Sequence, residues 1–188
     1  MDNSDSIIDI PNDDGTFSAN RINLQTNTLF LYDFISDHVA KEVSDRIGDM
    51  AKHGRNLNVM INSAGGFLSS GQAILAELSR FPNEIHVDIV GICWSMAAII
   101  ALSGDTCKMS KFGLFMLHYP RWDTGDQSLA EHKLDVKVTG RLFDSMVKSL
   151  LSGTKISYSE YKKRMEGNTD WYLTAEQCKK LGIVSEIY

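Results

Sequence analysis

The chain has 188 residues and a mass of 21.0 kDa, which suits one globular domain and leaves little room for two. With 43% hydrophobic and 23% charged residues it carries enough apolar material to offset chain entropy, so wholesale disorder is excluded. Nineteen basic against 24 acidic residues give a net charge of −5, and no Lys/Arg block interrupts the sequence; a nucleic-acid partner is not expected. The three cysteines, Cys93, Cys107 and Cys178, are odd in number and form no C-x-x-C pair, so they read as buried thiols of a reducing compartment rather than a disulfide frame or a metal site. The acidic, polar start Met1-Asp-Asn-Ser-Asp5 is no secretory signal. The longest apolar stretch, Ile89 to Leu102, falls short of the roughly 20 residues that a bilayer demands. A soluble cytoplasmic protein is the expectation.

Residues 1–26 are polar and read as a flexible N-terminal arm, leaving 27–188 as a single domain. Thr28-Leu-Phe-Leu-Tyr32 is a buried strand by its apolar run. Ser36 or Asp37 then caps a helix whose apolar positions are Val39, Val43, Ile47 and Met50, with Gly54 closing it. Leu57 to Ile61 is a second strand. Asn62-Ser-Ala-Gly-Gly66 is a glycine turn leading into a helix that Pro82 and Asn83 stop. Ile85 to Val90 is a third strand, Gly91 reads as a second tight turn, and a short apolar helix follows from about Ser95 to Leu102. Three strand–helix repeats predict an α/β fold around a mostly parallel sheet with crossover helices.

Cys107 to Met109 and Gly113 to Leu117 read as short strands. After a polar loop, a long helix is predicted from about Leu129 to Leu151. It carries two apolar rows, one at 134, 138, 142, 146 and 150 and one at 136, 143, 147 and 151. Such a helix either packs on a second subunit or is buried on two sides within the monomer. Ser157-x-x-Glu160 and Thr174-x-x-Gln177 have the capping-box form, and Gly182 ends the last helix before a strand over Ile183 to Ile187.

Two strand-to-helix turns stand at comparable places in successive repeats, around Gly65-Gly66 and around Ser95. Ligands of open parallel sheets gather at the carboxyl ends of strands. A serine on one turn and bare glycines on the other would supply a nucleophile and an oxyanion hole. His118, ending the run Leu114 to Leu117, is the candidate base. Each residue has a plainer role: a serine starting a helix is usually its cap, and a histidine ending a strand is usually structural. Cys93 is a rival nucleophile only in name, since it lies in an apolar run without a basic neighbour. Many carboxylates could orient the base, and pattern alone does not choose among them. The G-x-S-x-G elbow and the Walker A lysine are both absent.

Together these segments resemble the ClpP family of ring-forming serine peptidases. Asn62-Ser-Ala-Gly-Gly66 is similar to its I-N-S-P-G-G turn and Gly91-Ile-Cys-Trp-Ser95-Met96 to its G-x-A-A-S-M segment. Phe115-Met-Leu-His118-Tyr-Pro120 resembles its M-I-H-Q-P, and Asp170-Trp-Tyr-Leu-Thr-Ala175 its D-x-F-[LM]-S-A. The resemblance spans about residues 28–188. It implies a ClpP/crotonase-like fold in which the 129–151 helix protrudes. It implies Ser95 as nucleophile, His118 as general base, Asp170 as orienting acid, and the backbone N–H groups of Gly66 and Met96 as oxyanion hole. It implies no metal or organic cofactor, unfolded polypeptide or peptide substrates, a homo-oligomer built as a heptameric ring or double ring, and an AAA+ ATPase of the Clp type as partner. No nucleic acid or membrane partner is implied.

The sequence departs from the family pattern at identifiable points. Ala64 replaces a proline, Trp94 a small residue before the nucleophile, and Trp171 an arginine that in many members helps ring-to-ring contacts. Asn58 and Met60 stand where aromatic residues often form the unfoldase-docking pockets. Besides an active endopeptidase, the readings consistent with the sequence are a catalytically silent ring subunit, a virus-borne maturation protease, and a crotonase-like enzyme acting on a thioester enolate. A signal-peptide-peptidase-like enzyme would need a catalytic lysine and a membrane setting.

Overall fold

The structure, a computed structural model, describes residues 22–121, 128–167 and 169–188. Most of the predicted flexible arm therefore lies outside the described residues, but its end does not. Ile22–Asn23 forms β1, antiparallel to β2 (Thr28–Leu31). Next come α1 (Asp37–Lys52), β3 (Leu57–Ser63), α2 (Leu68–Leu78), β4 (Ile85–Trp94), α3 (Met96–Ala101), β5 (Thr106–Met109) and β6 (Leu114–Leu117). The chain ends with α4 (Leu129–Leu151), α5 (Tyr158–Met165), β7 (Trp171–Thr174), α6 (Ala175–Leu181) and β8 (Glu186–Ile187).

The sheet is mixed but mostly parallel. Its main path runs β1-β2-β3-β4-β5-β8, and every pairing along it after β1 is parallel. Helical crossovers α1, α2 and α3 connect the parallel neighbours, as the strand–helix alternation requires. In β3, Leu57, Val59 and Ile61 are fully buried while Asn58 and Asn62 are exposed. One face of this region thus closes on the core and the other stays polar. His86, opposite Asn58, bonds Thr106, and Asp88 pairs with Lys108 at 3.2 Å.

The predicted turn at Gly91 is not there: β4 runs straight through it for ten residues. Its first half pairs with β5 and its last three residues with β6, so the strand changes neighbours at the glycine. A side chain at Gly91 would meet Asn62 Oδ1 at 2.4 Å, and that oxygen accepts the Ile92 N–H at 3.0 Å. The glycine is there for close approach of a neighbouring side chain, which sequence reads no differently from a turn. The closing strand is shorter than expected, with only Glu186–Ile187 paired, and β7 was not expected at all.

Helix boundaries follow the capping chemistry. Ser36 caps α1 through Val39 N–H, and Gly54 follows it at φ +61. Thr174 and Gln177 make a full capping box, whereas Ser157 caps α5 without the reciprocal bond. Ser128 and Glu131 form a further box at the start of α4. Helix α3 is buried on all sides, so it sits inside the core and holds both of its ends rigidly. Of the described residues, no helix is long and apolar enough to cross a membrane.

Candidate active site

Sheet register brings the site together. Cys93 and Trp94 of β4 lie opposite Phe115 and Met116 of β6, and the Ser95 N–H continues the ladder to Met116 O at 2.9 Å. On the other edge of β6, Leu117 lies opposite Trp171 of the antiparallel β7. The next residues along these strands are Ser95, His118 and Asp170. Three positions far apart in sequence therefore meet at one end of three adjacent strands.

Ser95 stands at the N-cap position of α3, yet its side chain makes no capping bond. The hydroxyl lies 2.6 Å from His118 Nε2. Its backbone is at φ +54 and ψ −123, a region that costs a non-glycine residue about 1–3 kcal/mol. Packing of the buried α3 and the bond to Met116 hold that strain in place. The serine is thus not used as a helix cap; it is turned toward the base.

The glycine turn lies directly against this serine. Gly65 is at φ +91, and a Cβ there would come within 2.6–2.9 Å of Trp94 O, Ser95 Cβ and Met96 N. Gly66 meets Ile35, whose backbone O would lie 2.2 Å from an added Cβ. Ile35 N–H donates to Gly65 O and Phe67 N–H to Ile35 O, at 2.9 and 2.8 Å. Ser63 Oγ accepts from Gly65 N–H and donates to Asp33 O, which fixes the turn further. This ladder leaves the Gly66 N–H out, and the Met96 N–H opens α3, so among the described residues neither has a backbone acceptor.

His118 is half-buried. Burial and the Arg121 cation lower its pKa from the ordinary value near 6.5, with Asp170 and a Tyr119 backbone group opposing them more weakly. The ring is therefore neutral near pH 7, as a general base must be. Tyr119, beside it, is tied to α4: its hydroxyl donates to Asp144 at 3.0 Å and its ring packs edge-on to Phe143. Lys162 of α5 pairs with the same Asp144 at 3.3 Å and lies over the Tyr119 ring.

Asp170 takes a different partner from the one its sequence motif implies. Arg121 Nη2 donates to Asp170 Oδ1 at 2.8 Å. No hydrogen bond of ordinary geometry reaches the buried His118 Nδ1 among the described residues, although the Tyr119 backbone lies near enough to favour the protonated ring. Arg121 was not singled out in the sequence, where its only distinction is a cation three residues beyond the candidate base.

The remaining candidates fall into simpler roles. Cys93, Cys107 and Cys178 are all buried, and burial pushes their thiols up, to about 12 for Cys107 and Cys178. None is a thiolate near neutral pH. Trp94 packs edge-on to Tyr172 at 5.9 Å, and Trp171 lies under the Arg164 guanidinium. Asn58 and Met60 belong to the polar face of the sheet, away from the strand ends that carry the site.

A serine hydroxyl held against a histidine at the strand ends of an α/β scaffold is an arrangement that serine-type peptidases use. A family model described as Clp protease matches residues 15–188. The chain belongs to the Clp protease family and is a serine-type peptidase. It is similar to the ATP-dependent Clp protease proteolytic subunit 2 of Prochlorococcus marinus (strain MIT 9312), with 23% identity over 163 residues, 85% of this chain and 79% of that protein. The ATP-dependent Clp protease proteolytic subunit of Bacteroides thetaiotaomicron is 24% identical over 165 residues, 85% of this chain and 73% of that protein. The Bacteroides fragilis (strain ATCC 25285) subunit of the same name is 25% identical over 169 residues, 85% and 77% respectively. Identity this low makes the chain a divergent member.

Proposed function

We propose that this protein is an endopeptidase that cleaves peptide bonds through Ser95, His118 and Asp170 by way of an acyl-enzyme. The observation that carries the reading is the 2.6 Å approach of Ser95 Oγ to His118 Nε2, made by a serine at φ +54. Ser95 Oγ attacks the scissile carbonyl carbon while His118 Nε2 takes its proton. The Gly66 and Met96 N–H groups donate to the oxyanion that forms. Collapse breaks the C–N bond, and His118 returns the proton to the leaving amine. Water, deprotonated by His118, then attacks the ester and releases the acid and Ser95. Asp170 serves this cycle by accepting from His118 Nδ1–H, which fixes the tautomer and stabilises the imidazolium.

The same reading makes 27–188 one peptidase domain that assembles into a heptameric ring or double ring. What supports assembly is the outer row of α4, where Leu134, Val138 and Leu142 are 59%, 58% and 53% exposed. Enclosure in a ring keeps a peptide-hydrolysing site away from folded cell proteins, and an AAA+ unfoldase of the Clp type would then deliver unfolded chains. Three buried free thiols fit a reducing cytoplasm.

Fluorophosphonate labelling with peptide mapping of the adduct tests the reading. The expected adduct is on Ser95, lost in both Ser95→Ala and His118→Ala. Peptide hydrolysis is expected to fall on the order of 10^4-fold or more in Ser95→Ala, with the circular dichroism spectrum unchanged. Turnover that survives Ser95→Ala would refute the mechanism.

A further inference from the structure

Three observations converge on the base of the site. No hydrogen bond of ordinary geometry reaches the buried His118 Nδ1 among the described residues, and a buried polar nitrogen left this way is unfavourable. Asp170, which the β6–β7 register sets beside His118, gives Oδ1 to Arg121 at 2.8 Å instead. The Arg121 side chain is 63% exposed and Asp170 only 26%, so the ion pair reaches the carboxylate from the solvent side.

We propose that Arg121 is a positioning residue that competes with His118 for the Asp170 carboxylate, and that the arrangement seen here is a resting one in which Arg121 holds the carboxylate away from Nδ1. The inference rests on the assignment of Ser95, His118 and Asp170 as the peptidase site. The Arg121–Asp170 ion pair lies toward solvent and is weakened by screening, while a carboxylate bonded to the imidazole would satisfy Nδ1. Small changes around Arg121 therefore decide which partner Asp170 takes. The guanidinium also acts on the base directly: a nearby cation disfavours the imidazolium that forms when Ser95 loses its proton, and Arg121 is among the groups lowering the His118 pKa. With Arg121 engaged, the serine and histidine are in contact, and Asp170 favours the imidazolium through its charge without a hydrogen bond to it.

The experiment compares wild type, Arg121→Gln and Arg121→Lys, each checked for fold by circular dichroism. It measures the rate of fluorophosphonate addition to Ser95 and the pH profile of kcat/KM on a fluorogenic peptide. Arg121→Gln is expected to accelerate addition on the order of ten-fold, a part of the roughly 10^4-fold that the acid of a serine triad supplies. Its acid limb is expected to move to higher pH, because the cation is gone and the carboxylate is free to face the ring. Arg121→Lys keeps the charge and is expected to stay near the wild-type rate. Asp170→Asn in the Arg121→Gln background is expected to cancel the gain, which a loss of mere surface packing would not do. An adduct on Ser95 that forms at the wild-type rate or slower in Arg121→Gln overturns the proposal and leaves the site assignment standing. Absence of any Ser95 adduct in folded wild type and in Arg121→Gln overturns the site assignment, and the proposal with it.

Discussion

At the scale of single residues, the site turns on what each polar atom does instead of its commonest job. Ser95 occupies a helix N-cap without capping, and His118 meets it through Nε2 at 2.6 Å. His118 titrates below its ordinary value near 6.5, chiefly because burial penalises the imidazolium. The acid limb of kcat/KM, which reports the free enzyme, is therefore expected to have its midpoint below 6.5, and a midpoint at 7 or above would contradict this environment. The same shift has a consequence for stability. Between the lowered native pKa and about 6.5 the unfolded chain binds more protons than the native one, so His118's contribution is full above 6.5 and is lost as pH falls through that window.

At the scale of elements, two glycine contacts decide the geometry. Gly65 lets the turn after β3 touch the start of α3, and Gly91 lets Asn62 reach across β4. Gly91→Ala is expected to push Asn62 Oδ1 off the Ile92 N–H and destabilise the protein by about 1–3 kcal/mol, read as a lower urea midpoint at fixed protein concentration. An unchanged midpoint would mean that the β4 branch tolerates a methyl group there. Gly65→Ala is expected to damage both stability and activity, because its φ of +91 and its backbone neighbours leave no room for a Cβ. Its Cβ would strike Ser95 Cβ and Met96 N, the groups proposed to carry the nucleophile and one oxyanion donor. We expect kcat to fall about 10^2-fold or more, the loss typical of one misplaced oxyanion donor, with the far-ultraviolet spectrum preserved.

At the scale of the whole molecule, α4 resolves into two unlike faces. The inner row, Phe143, Val147 and Leu151, is buried in the monomer core, and the row of Leu134, Val138 and Leu142 is left in solvent. Covering such a row typically gains roughly 25 cal/mol per Å² of apolar surface removed from water. Val138→Asp with Leu142→Asp is expected to convert a ring-sized assembly into a species near the 21.0 kDa of one chain by light scattering. Assembly that survives both charges would place the subunit contacts elsewhere.

The sequence was most legible where one segment answers to its own chemistry. The 23 residues of α4 are bounded by a Ser128 cap and a Ser152 end, and their periodicity places the helix over Leu129–Leu151. The strand–helix repeats carry the parallel sheet in the same way, because crossover connections leave few alternatives. The sequence segments holding Ser95, His118 and Asp170 lie at strand ends that the sheet register brings together. What the sequence left open depends on partners distant in the chain. Gly91 reads as a turn until Asn62 arrives from β3, and Trp171–Thr174 becomes a strand only because β6 presents a free edge. Which of the two apolar rows of α4 faces inward depends on where the rest of the core lies. Above all, the partner of Asp170 is decided in three dimensions. The β6–β7 register sets Asp170 beside His118, but Arg121 reaches its carboxylate across 49 residues of sequence, a contact that no local pattern encodes.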